Sequence, residues 1–221
     1  MITSLSINDL GNYTSKQLNH FFPDNDLVDL AIIKSSVQMA LDKLEFCYQK
    51  VKLTHYFDGK DVLFNHLYSD QYVMYIWHLA NILWHNTGNK SLCNKLYYLN
   101  KALHGLDCMF DTQLPDIFLI FHGVGTMLGK AIYSDYFVAL QGCTVGMNRG
   151  KYPVIGKGVS LTAHSSIIGD CEVGNHVTIA SHTNVFDKNI DSDTVVYRND
   201  KGVLEFKATQ NSYARQFFID I

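Results

Sequence analysis

Histidine is the residue type in this sequence whose spacing and surroundings most clearly suggest chemistry. Ten histidines occur, and one of them, His122, begins a glycine-rich segment, His122-Gly-Val-Gly-Thr-Met-Leu-Gly. Three others, His164, His176 and His182, follow one another at spacings of 12 and 6 residues. An imidazole titrates near neutral pH, so it can take a proton from a substrate hydroxyl or bind a metal ion. The sequence therefore offers two places for histidine chemistry, at His122 and in the histidine cluster farther along.

The elements that carry these histidines have a six-residue period. An aliphatic residue recurs every six positions, at Ile155, Leu161, Ile167, Val173, Ile179 and Val185. In most repeats a small or β-branched residue follows four positions later. This period predicts a left-handed parallel β-helix, in which three hexapeptides form one triangular coil and coils stack about 4.8 Å apart. A meander of short antiparallel strands is the alternative. A second run is predicted at Leu128, Ser134 and Leu140, and segment 147–153 between the runs is predicted to be a loop.

The first half of the chain has a helical period instead. Apolar residues recur at spacings of three and four over 29–50, and helices are also predicted over 70–85 and 90–104. Only four of the 15 glycines precede His122, whereas ten lie between Gly123 and Gly174, so the composition changes near residue 107. We therefore expect an α+β protein: an α-helical N-terminal domain over 1–106, a left-handed β-helix over 107–202 and a C-terminal tail over 203–221 that covers the last coil.

Composition excludes several classes of protein. The chain has 221 residues, of which 47% are hydrophobic and 18% charged, and a net charge of −3 without a long basic run. These values argue against disorder and against nucleic acid as a partner. No apolar stretch reaches the roughly 18 to 20 residues of a membrane span. The N-terminus lacks a signal segment and the five cysteines lack CxxC spacing, so we expect a cytoplasmic protein with reduced thiols.

Two motifs give the sequence a family resemblance. The segment from His122 to Ala131, followed by Leu140-Gln-Gly-Cys-Thr-Val-Gly, resembles the serine O-acetyltransferases, a family of hexapeptide acyltransferases. The resemblance continues through Tyr152-Pro-Val-Ile-Gly-Lys-Gly-Val to about Phe186, and helices that precede a β-helix are also that family's layout. Hexapeptides alone are shared by many acyltransferases and by metal-dependent hydratases, whereas the His-x-x-Gly-x-x-x-Gly segment with Gln-x-x-Thr-x-Gly is more specific. The resemblance implies an O-acetyltransferase that uses acetyl-coenzyme A.

The resemblance also implies roles for individual residues. In the family, a histidine at the position of His122 is the general base, and an aspartate fifteen residues earlier, here Asp107, orients its imidazole. Such a base is needed because a neutral hydroxyl is too weakly acidic to attack a thioester unaided. Asp111 and Asp116 compete with Asp107 for the orienting role. A direct transfer without an acyl-enzyme is expected, although Cys143 leaves a covalent route open.

This chain differs from the family at two places where the family binds serine, the acceptor of the acetyl group. The family has an acidic residue just before the base, which binds the amino group of serine, and this chain has Phe121 there. The family's Arg-His pair, which binds the serine carboxylate, is replaced by Lys151 and Tyr152. Lys151 still carries a charge but lacks the bidentate guanidinium. Recognition of free serine is therefore in doubt, and Phe121 would suit the apolar face of a sugar ring, so a sugar or polysaccharide precursor is an alternative to a hydroxy amino acid.

The donor and the assembly follow from the same resemblance. Small residues at coil corners are candidates for binding the pantetheine arm of acetyl-coenzyme A, although the corner itself also favours small residues; they are Gly146, Ala163, Ala180 and Ser181. A homotrimer is expected because one triangular prism lacks a deep cleft, and two trimers could pair through their helical domains.

Two alternatives remain open. In a non-catalytic trimeric assembly protein, the prism only presents a surface. In a zinc hydratase resembling the γ-class carbonic anhydrases, His164, His176 and His182 would bind the ion, although no metal is expected beside an acetyltransferase motif.

Overall fold

Four helices form the N-terminal part of the computed structural model, which describes residues 1–221. They are α1 Ile7–Phe21, α2 Leu30–Tyr48, α3 Ser69–Thr87 and α4 Lys90–His104. A short parallel pair, β1 Ile2–Thr3 and β2 Leu63–Phe64, lies beside them. The predicted helices are confirmed to within two residues at each end. The sequence did not reveal α1, because its buried face mixes Gly11, Thr14 and Ser15 with only two leucines. None of the four helices is both long and apolar enough to span a membrane.

Local signals explain where the helices begin and end. The Asp29 side chain accepts a hydrogen bond from the Ala31 N–H and caps α2. Gly88 ends α3 in the left-handed region, at a φ of 62°, and Asn89 then caps α4 by accepting from the Leu92 N–H. Only Gly88 and Asn89 therefore separate α3 from α4.

A parallel β-helix of about four turns follows the helices. Its first face contains β3 Phe118–Ile120, β6 Phe137–Ala139, β9 Ser160–Leu161, β12 Thr178–Ile179 and β14 Thr194–Arg198. Its second face contains β4 Met127–Leu128, β7 Thr144–Gly146, β10 Ser166–Ile168 and β13 Asn184–Phe186. Its third face contains β5 Ile132–Tyr133, β8 Val154–Ile155 and β11 Glu172–Val173. All six aliphatic positions predicted from Ile155 to Val185 are buried.

The phase predicted for the second run is wrong by one residue. Tyr133 pairs with Ile155, Ala139 with Leu161 and Val145 with Ile167, so Tyr133 and Ala139 face the core rather than Ser134 and Leu140. The slip arises because Leu128 and Tyr133, both buried, are five residues apart instead of six. The loop over 147–153 is confirmed: it lies between β7 and β8 and carries a bridge between Asn148 and Lys151.

The C-terminal segment does more than cover the last coil. Strand β15 Leu204–Ala208 pairs antiparallel with β14 and closes the end of the first face. After a 3₁₀ turn at Tyr213–Gln216, the chain returns to the helices, where the Lys52 N–H donates to the Phe217 carbonyl and the Ile219 N–H to the Lys50 carbonyl. Phe218 is fully buried there. The tail therefore joins the β-helix to the segment after α2.

Helix α3 connects the two parts of the molecule. It is buried on nearly every side, because α2 and α4 flank it and β3 packs across it. The Trp77 and His78 rings both lie 5.5 Å from the Phe118 ring of β3. One continuous hydrophobic cluster includes residues of the helices, the β-helix and the tail. The first turn of α3 is thereby fixed against the first coil.

Candidate active site at the first edge of the beta-helix

His122 lies where the first face turns into the second. We call the turns between these faces the first edge; they are residues 121–126, 140–143, 162–165 and 180–183. The first of these turns is the longest, and within it His122 has a φ of 53°. This left-handed conformation costs a non-glycine residue about 1 to 3 kcal/mol, so surrounding contacts must hold it. The imidazole projects outward and its side chain is 65% exposed.

The contact that holds His122 comes from helix α3. Asp70 Oδ2 accepts a hydrogen bond from the His122 N–H at 3.1 Å and lies 3.2 Å from His122 Nδ1. The Asp70 side chain is only 9% exposed, and its Oδ1 makes no hydrogen bond within the chain. One carboxylate thus contacts both the backbone and the ring of His122. Nε2 of the imidazole has no partner and is free to receive a proton.

Asp107, the aspartate expected to orient His122, has different partners. Its Oδ1 accepts from the Tyr97 hydroxyl at 2.7 Å, and its Oδ2 forms an ion pair with Lys101 at 2.6 Å. Partial burial would raise the pKa of Asp107, but the hydrogen bonds from Lys101 and Tyr97 outweigh it and lower that pKa. Asp107 makes no hydrogen bond with His122. The expected Asp107–His122 pair is therefore replaced in the structure by an Asp70–His122 pair.

The competing carboxylates are also engaged elsewhere. Asp111 forms an ion pair with Lys130 at 3.0 Å, and Asp116 forms one with Lys43 at 2.7 Å. Neither carboxylate contacts His122.

A small cavity of about 140 Å³ lies beside this pair, between the helices and the first turn of the β-helix. Its lining is formed by Ser69, Asp70, Val73, Leu103, His104, Gly123 and Val124. The Asn100 amide donates through Nδ2 to the Val73 carbonyl, so its Oδ1 must accept from His104 Nδ1 at 2.7 Å. Burial lowers the pKa of His104 to about 4, so the ring is neutral at pH 7 and its Nε2 is an acceptor. Two of the lining residues, Asp70 and His104, therefore carry hydrogen-bond acceptors, and the lining contains no Lys or Arg.

Three of the four small residues predicted to bind the donor lie along the first edge with His122. Ala163 is in the third turn of this edge, and Ala180 and Ser181 are in the fourth. The backbone N–H groups of Gln141, Ala163 and Ser181, each from a successive coil, have no acceptor within the chain. Gln141 Oε1 is also buried without a partner. This edge thus presents the unpaired backbone amides and small side chains that a pantetheine arm requires.

The remaining predicted residues lie at the second edge, where the second face turns into the third. Gly146 ends β7 there, and Lys151 and Tyr152 belong to the loop that follows it. Lys151 Nζ is 3.7 Å from Asp170 Oδ2, and both residues line a polar cleft of about 650 Å³. Within one protomer the structure does not bring Gly146, Lys151 or Tyr152 to His122, because the two edges are separated by the second face.

Phe121 packs toward the tail. Its ring centroid is 5.2 Å from that of Phe217 and 4.2 Å from that of His122. The ring is therefore part of the contact between the C-terminal segment and the first turn of the β-helix. It supplies no counter-charge for an amino group.

Cys143 is poorly suited to covalent catalysis. The residue is fully buried, and its Sγ donates to the Thr162 carbonyl at 3.1 Å. Burial raises the pKa of this thiol, whereas a nucleophilic cysteine needs a lowered one.

The other histidines do not converge on one point. His164 and His182 stack with ring centroids 5.1 Å apart, as their spacing of one coil predicts. His176 lies at the edge between the third and first faces, with Nδ1 3.1 Å from Asp193 Oδ1. No group of three or more His, Cys, Asp or Glu side chains has a metal-binding arrangement.

Asp70 is the residue that sequence reasoning missed. It is 52 residues from His122 along the chain, and in the sequence it looks like an ordinary acidic residue in the first turn of a helix. Its burial is the only unusual feature, and burial is visible only once α3 is placed against the β-helix.

Comparison with known proteins agrees with this fold. A serine acetyltransferase of Synechococcus elongatus is 27% identical over 106 residues, which make up 46% of this chain and 43% of that protein. The chain thus spans less than half the length of this curated relative. No family model matches the sequence.

Solved structures extend the similarity to nearly the whole chain. Serine acetyltransferase from Neisseria gonorrhoeae superposes with a TM-score of 0.71 at 18% identity, covering 96% of this chain and 83% of that one. A serine acetyltransferase in complex with CoA gives a TM-score of 0.66 at 18% identity, covering 89% and 84%. At this identity, the structural likeness concerns the fold. The chain is therefore a hexapeptide-repeat protein similar to the serine O-acetyltransferases in sequence and in fold.

Proposed function

We propose that this protein is an acetyl-coenzyme A-dependent O-acetyltransferase in which His122 is the general base. The observation that carries the proposal is the His122 imidazole itself: it projects from the first edge, Nδ1 faces the buried Asp70 carboxylate, and Nε2 is free. The similarity to serine acetyltransferases supports acetyl transfer as the reaction. All five cysteines are free thiols, which suits action in the reducing cytoplasm.

The chemistry follows from the exposed nitrogen. Nε2 takes the proton of the acceptor hydroxyl while the hydroxyl oxygen forms a bond to the thioester carbonyl carbon. The carbon–sulfur bond then breaks, and the imidazolium returns its proton to the leaving thiolate. No acyl-enzyme is needed, in keeping with the buried, weakly acidic Cys143 thiol. The products are the acetyl ester and free coenzyme A.

The donor is proposed to lie along the first edge. The unpaired N–H groups of Gln141, Ala163 and Ser181 can donate to pantetheine carbonyls, and the small side chains of Ala163, Ala180 and Ser181 allow close approach. Gln141 Oε1 offers a buried acceptor to an amide N–H of the same arm. Gly146 lies at the second edge, so it could contact this donor only from a neighbouring protomer.

The acceptor is proposed to place one hydrogen-bonding arm in the cavity beside Asp70, while its reacting hydroxyl lies outside the cavity at His122 Nε2. A volume of about 140 Å³ equals about five water molecules. This space suits a hydroxymethyl group and a few more atoms, so a sugar would enter by one hydroxyl arm. Asp70 Oδ1 and His104 Nε2 favour an acceptor that presents hydrogen-bond donors.

Free L-serine is expected to be a weak acceptor. Phe121 removes one carboxylate from the amino end, and Lys151 and Tyr152 replace the Arg-His pair at the carboxylate end. Each charge-assisted hydrogen bond is worth about 1.5 to 3 kcal/mol, so their loss raises KM by a factor on the order of 10². We therefore favour a hydroxyl acceptor without a free amino acid head group, such as a sugar or polysaccharide precursor, with a hydroxy amino acid as the alternative.

The protein is proposed to act as a homotrimer, with a dimer of trimers as a further possibility. Ile132 and Val154 are neighbours in register on the third face, and they are 64% and 42% exposed. Met127 and Phe186 are exposed on the second face. Apolar strips on flat faces are typical of interfaces between protomers. In a trimer, the second edge of one protomer can approach the first edge of another, which would bring Lys151 and Tyr152 to the acceptor.

The test is a thiol-release assay of coenzyme A production with a panel of acceptors: L-serine, other hydroxy amino acids, and free and nucleotide-linked sugars. The His122→Ala variant should lose about 10² to 10⁴ in turnover with the best acceptor, the range expected for removal of a general base. His85→Ala, which changes an exposed histidine at the end of α3, is the matched control and should retain activity.

Two results would overturn the proposal. Near-full activity of the folded His122→Ala protein would exclude His122 as the base. Absence of turnover with every acceptor, together with an unchanged unfolding temperature in millimolar coenzyme A, would favour a non-catalytic assembly protein, because any ligand of the native state raises that temperature.

A further inference from the structure

We propose that Asp70 of helix α3, and not Asp107, is the positioning residue that fixes the tautomer and orientation of His122. The role assigned here rests on the proposed function of His122, but the contact itself can be tested without turnover. The resemblance to the serine O-acetyltransferases places the orienting carboxylate at Asp107. The geometry assigns it to a residue from the helical part.

The two carboxylates differ in what they contact. Asp70 Oδ2 is 3.2 Å from His122 Nδ1 and 3.1 Å from the His122 N–H, and Asp70 has no other hydrogen-bond donor within the chain. Both oxygens of Asp107 are occupied, one by Tyr97 and one by the Lys101 ammonium. To reach His122, Asp107 would have to break a charge-assisted pair with Lys101.

Asp70 is held rigidly enough for a positioning role. The neighbouring Gln71 side chain accepts from the Asn65 N–H and donates to the His55 and Leu63 carbonyls, which ties the start of α3 to the preceding loop. The Asn100 side chain donates to the Val73 carbonyl and ties the same turn to α4. A carboxylate held from several sides keeps its partner ring in one orientation.

The contact has a defined consequence for proton position. A carboxylate oxygen only accepts, so at 3.2 Å from Nδ1 it favours the neutral ring that carries its proton on Nδ1, which leaves Nε2 as the bare nitrogen. Nε2 is the nitrogen that points away from Asp70 and is free for the acceptor. When Nε2 takes the substrate proton, the nearby negative charge stabilises the imidazolium.

The decisive measurement is the tautomer of His122 by two-dimensional ¹H–¹⁵N NMR of protein labelled with ¹⁵N-histidine. The His122 signals are identified as those missing from the His122→Gln spectrum. In the unmodified protein at a pH where the ring is neutral, Nδ1 should be protonated and Nε2 bare. A ring protonated at Nε2 instead would overturn the proposal without any change at Asp70.

Two truncation variants then separate the carboxylates. Asp70→Ala removes the oxygen that faces both the His122 N–H and Nδ1, so the Nδ1–H form should lose its dominance. Turnover should fall by about 10²-fold, the scale set by a misplaced catalytic group, while KM for acetyl-coenzyme A stays within about threefold. Asp107→Ala should leave the His122 tautomer unchanged and turnover within about threefold.

The opposite pattern overturns the inference: an unchanged tautomer in Asp70→Ala, or a loss of turnover in Asp107→Ala that equals or exceeds the loss in Asp70→Ala. Failure here is distinct from failure of the proposed function. An active His122→Ala protein would exclude His122 as the general base. The Asp70–His122 contact would still be measurable by NMR in the unmodified protein. An inactive His122→Ala protein together with a fully active Asp70→Ala protein would exclude only the positioning role of Asp70.

Discussion

The helical part and the β-helix obtain their stability in different ways. In the helical part, α3 is buried nearly all round and contributes large side chains, such as Met74 and Tyr75, to a core shared with α2, α4 and β3. In the β-helix, strands β3 to β13 have two or three residues each, and the coils beyond the first pack mainly on their neighbouring coils. The two parts therefore contribute differently to the candidate site. The β-helix sets the backbone positions of the first edge, and α3 places the Asp70 side chain against His122 there.

This difference can be tested first in the helical core, where we expect the largest effect. Met74 is fully buried, and its sulfur accepts from the Tyr48 hydroxyl at 3.9 Å. Met74→Ala should lower the free energy of unfolding by about 2 to 5 kcal/mol, because the side chain leaves a cavity that rigid neighbours cannot fill. Denaturant titration measures this loss. Met39→Ala, at a position 43% exposed in α2, is the control and should change stability by less than about 0.5 kcal/mol.

In the β-helix we expect a smaller effect that depends on contact between adjacent coils. A Cβ at Gly156 would lie 2.6 Å from the Gly174 carbonyl oxygen of the next coil, and backbone cannot move aside as a side chain can. Gly156→Ala should therefore cost about 1 to 3 kcal/mol, measured as a drop of several degrees in Tm. Gly146→Ala is the matched control, because its Cβ would meet nothing closer than 3.8 Å. Equal Tm values for the two variants would show that the coils have more freedom than their spacing indicates.

The junction between the two parts should respond to pH. His78 of α3 is buried against Phe118, and burial, assisted by the Lys43 charge, lowers its pKa to about 3. The unfolded chain binds a proton at this histidine below about pH 6.5 and the native protein does not, so acid favours unfolding. Between about pH 6.5 and 3 this group should remove about 1.4 kcal/mol of stability per pH unit.

Denaturant titrations at pH 6.5 and pH 5 isolate the contribution of His78. His78→Leu should reduce the loss of stability between these two pH values, whereas His20→Leu, at an exposed position of α1, should leave it unchanged. Identical pH dependence in His78→Leu and the unmodified protein would mean that His78 becomes protonated in the folded state near its ordinary pKa.

Much of the architecture was determined by the sequence. A six-residue aliphatic period predicted the β-helix, in which all six aliphatic residues are buried. The predicted helices carried a 3.6-residue period, and Asp29 and Asn89 cap two of them. The prediction failed where those signals were weak. Helix α1 buries small polar residues, and the five-residue step from Leu128 to Tyr133 shifted the phase of the first coils.

The candidate site likewise contains residues that the sequence predicted and one contact that it did not. The sequence pointed to His122 because its glycine-rich segment resembles that of the serine O-acetyltransferases. It also proposed four small residues of successive coils, of which the structure places Ala163, Ala180 and Ser181 along the first edge and Gly146 at the second. The tertiary structure alone decided which carboxylate meets the imidazole. Asp107 and Asp70 are both acidic residues near helix ends, and their partners depend on how α3 and α4 pack against the first coil. Lys101 draws Asp107 away, while the first turn of α3 brings Asp70 within 3.2 Å of His122. Local periodicity cannot encode that choice, because a contact between residues 52 positions apart is set by the packing of whole elements.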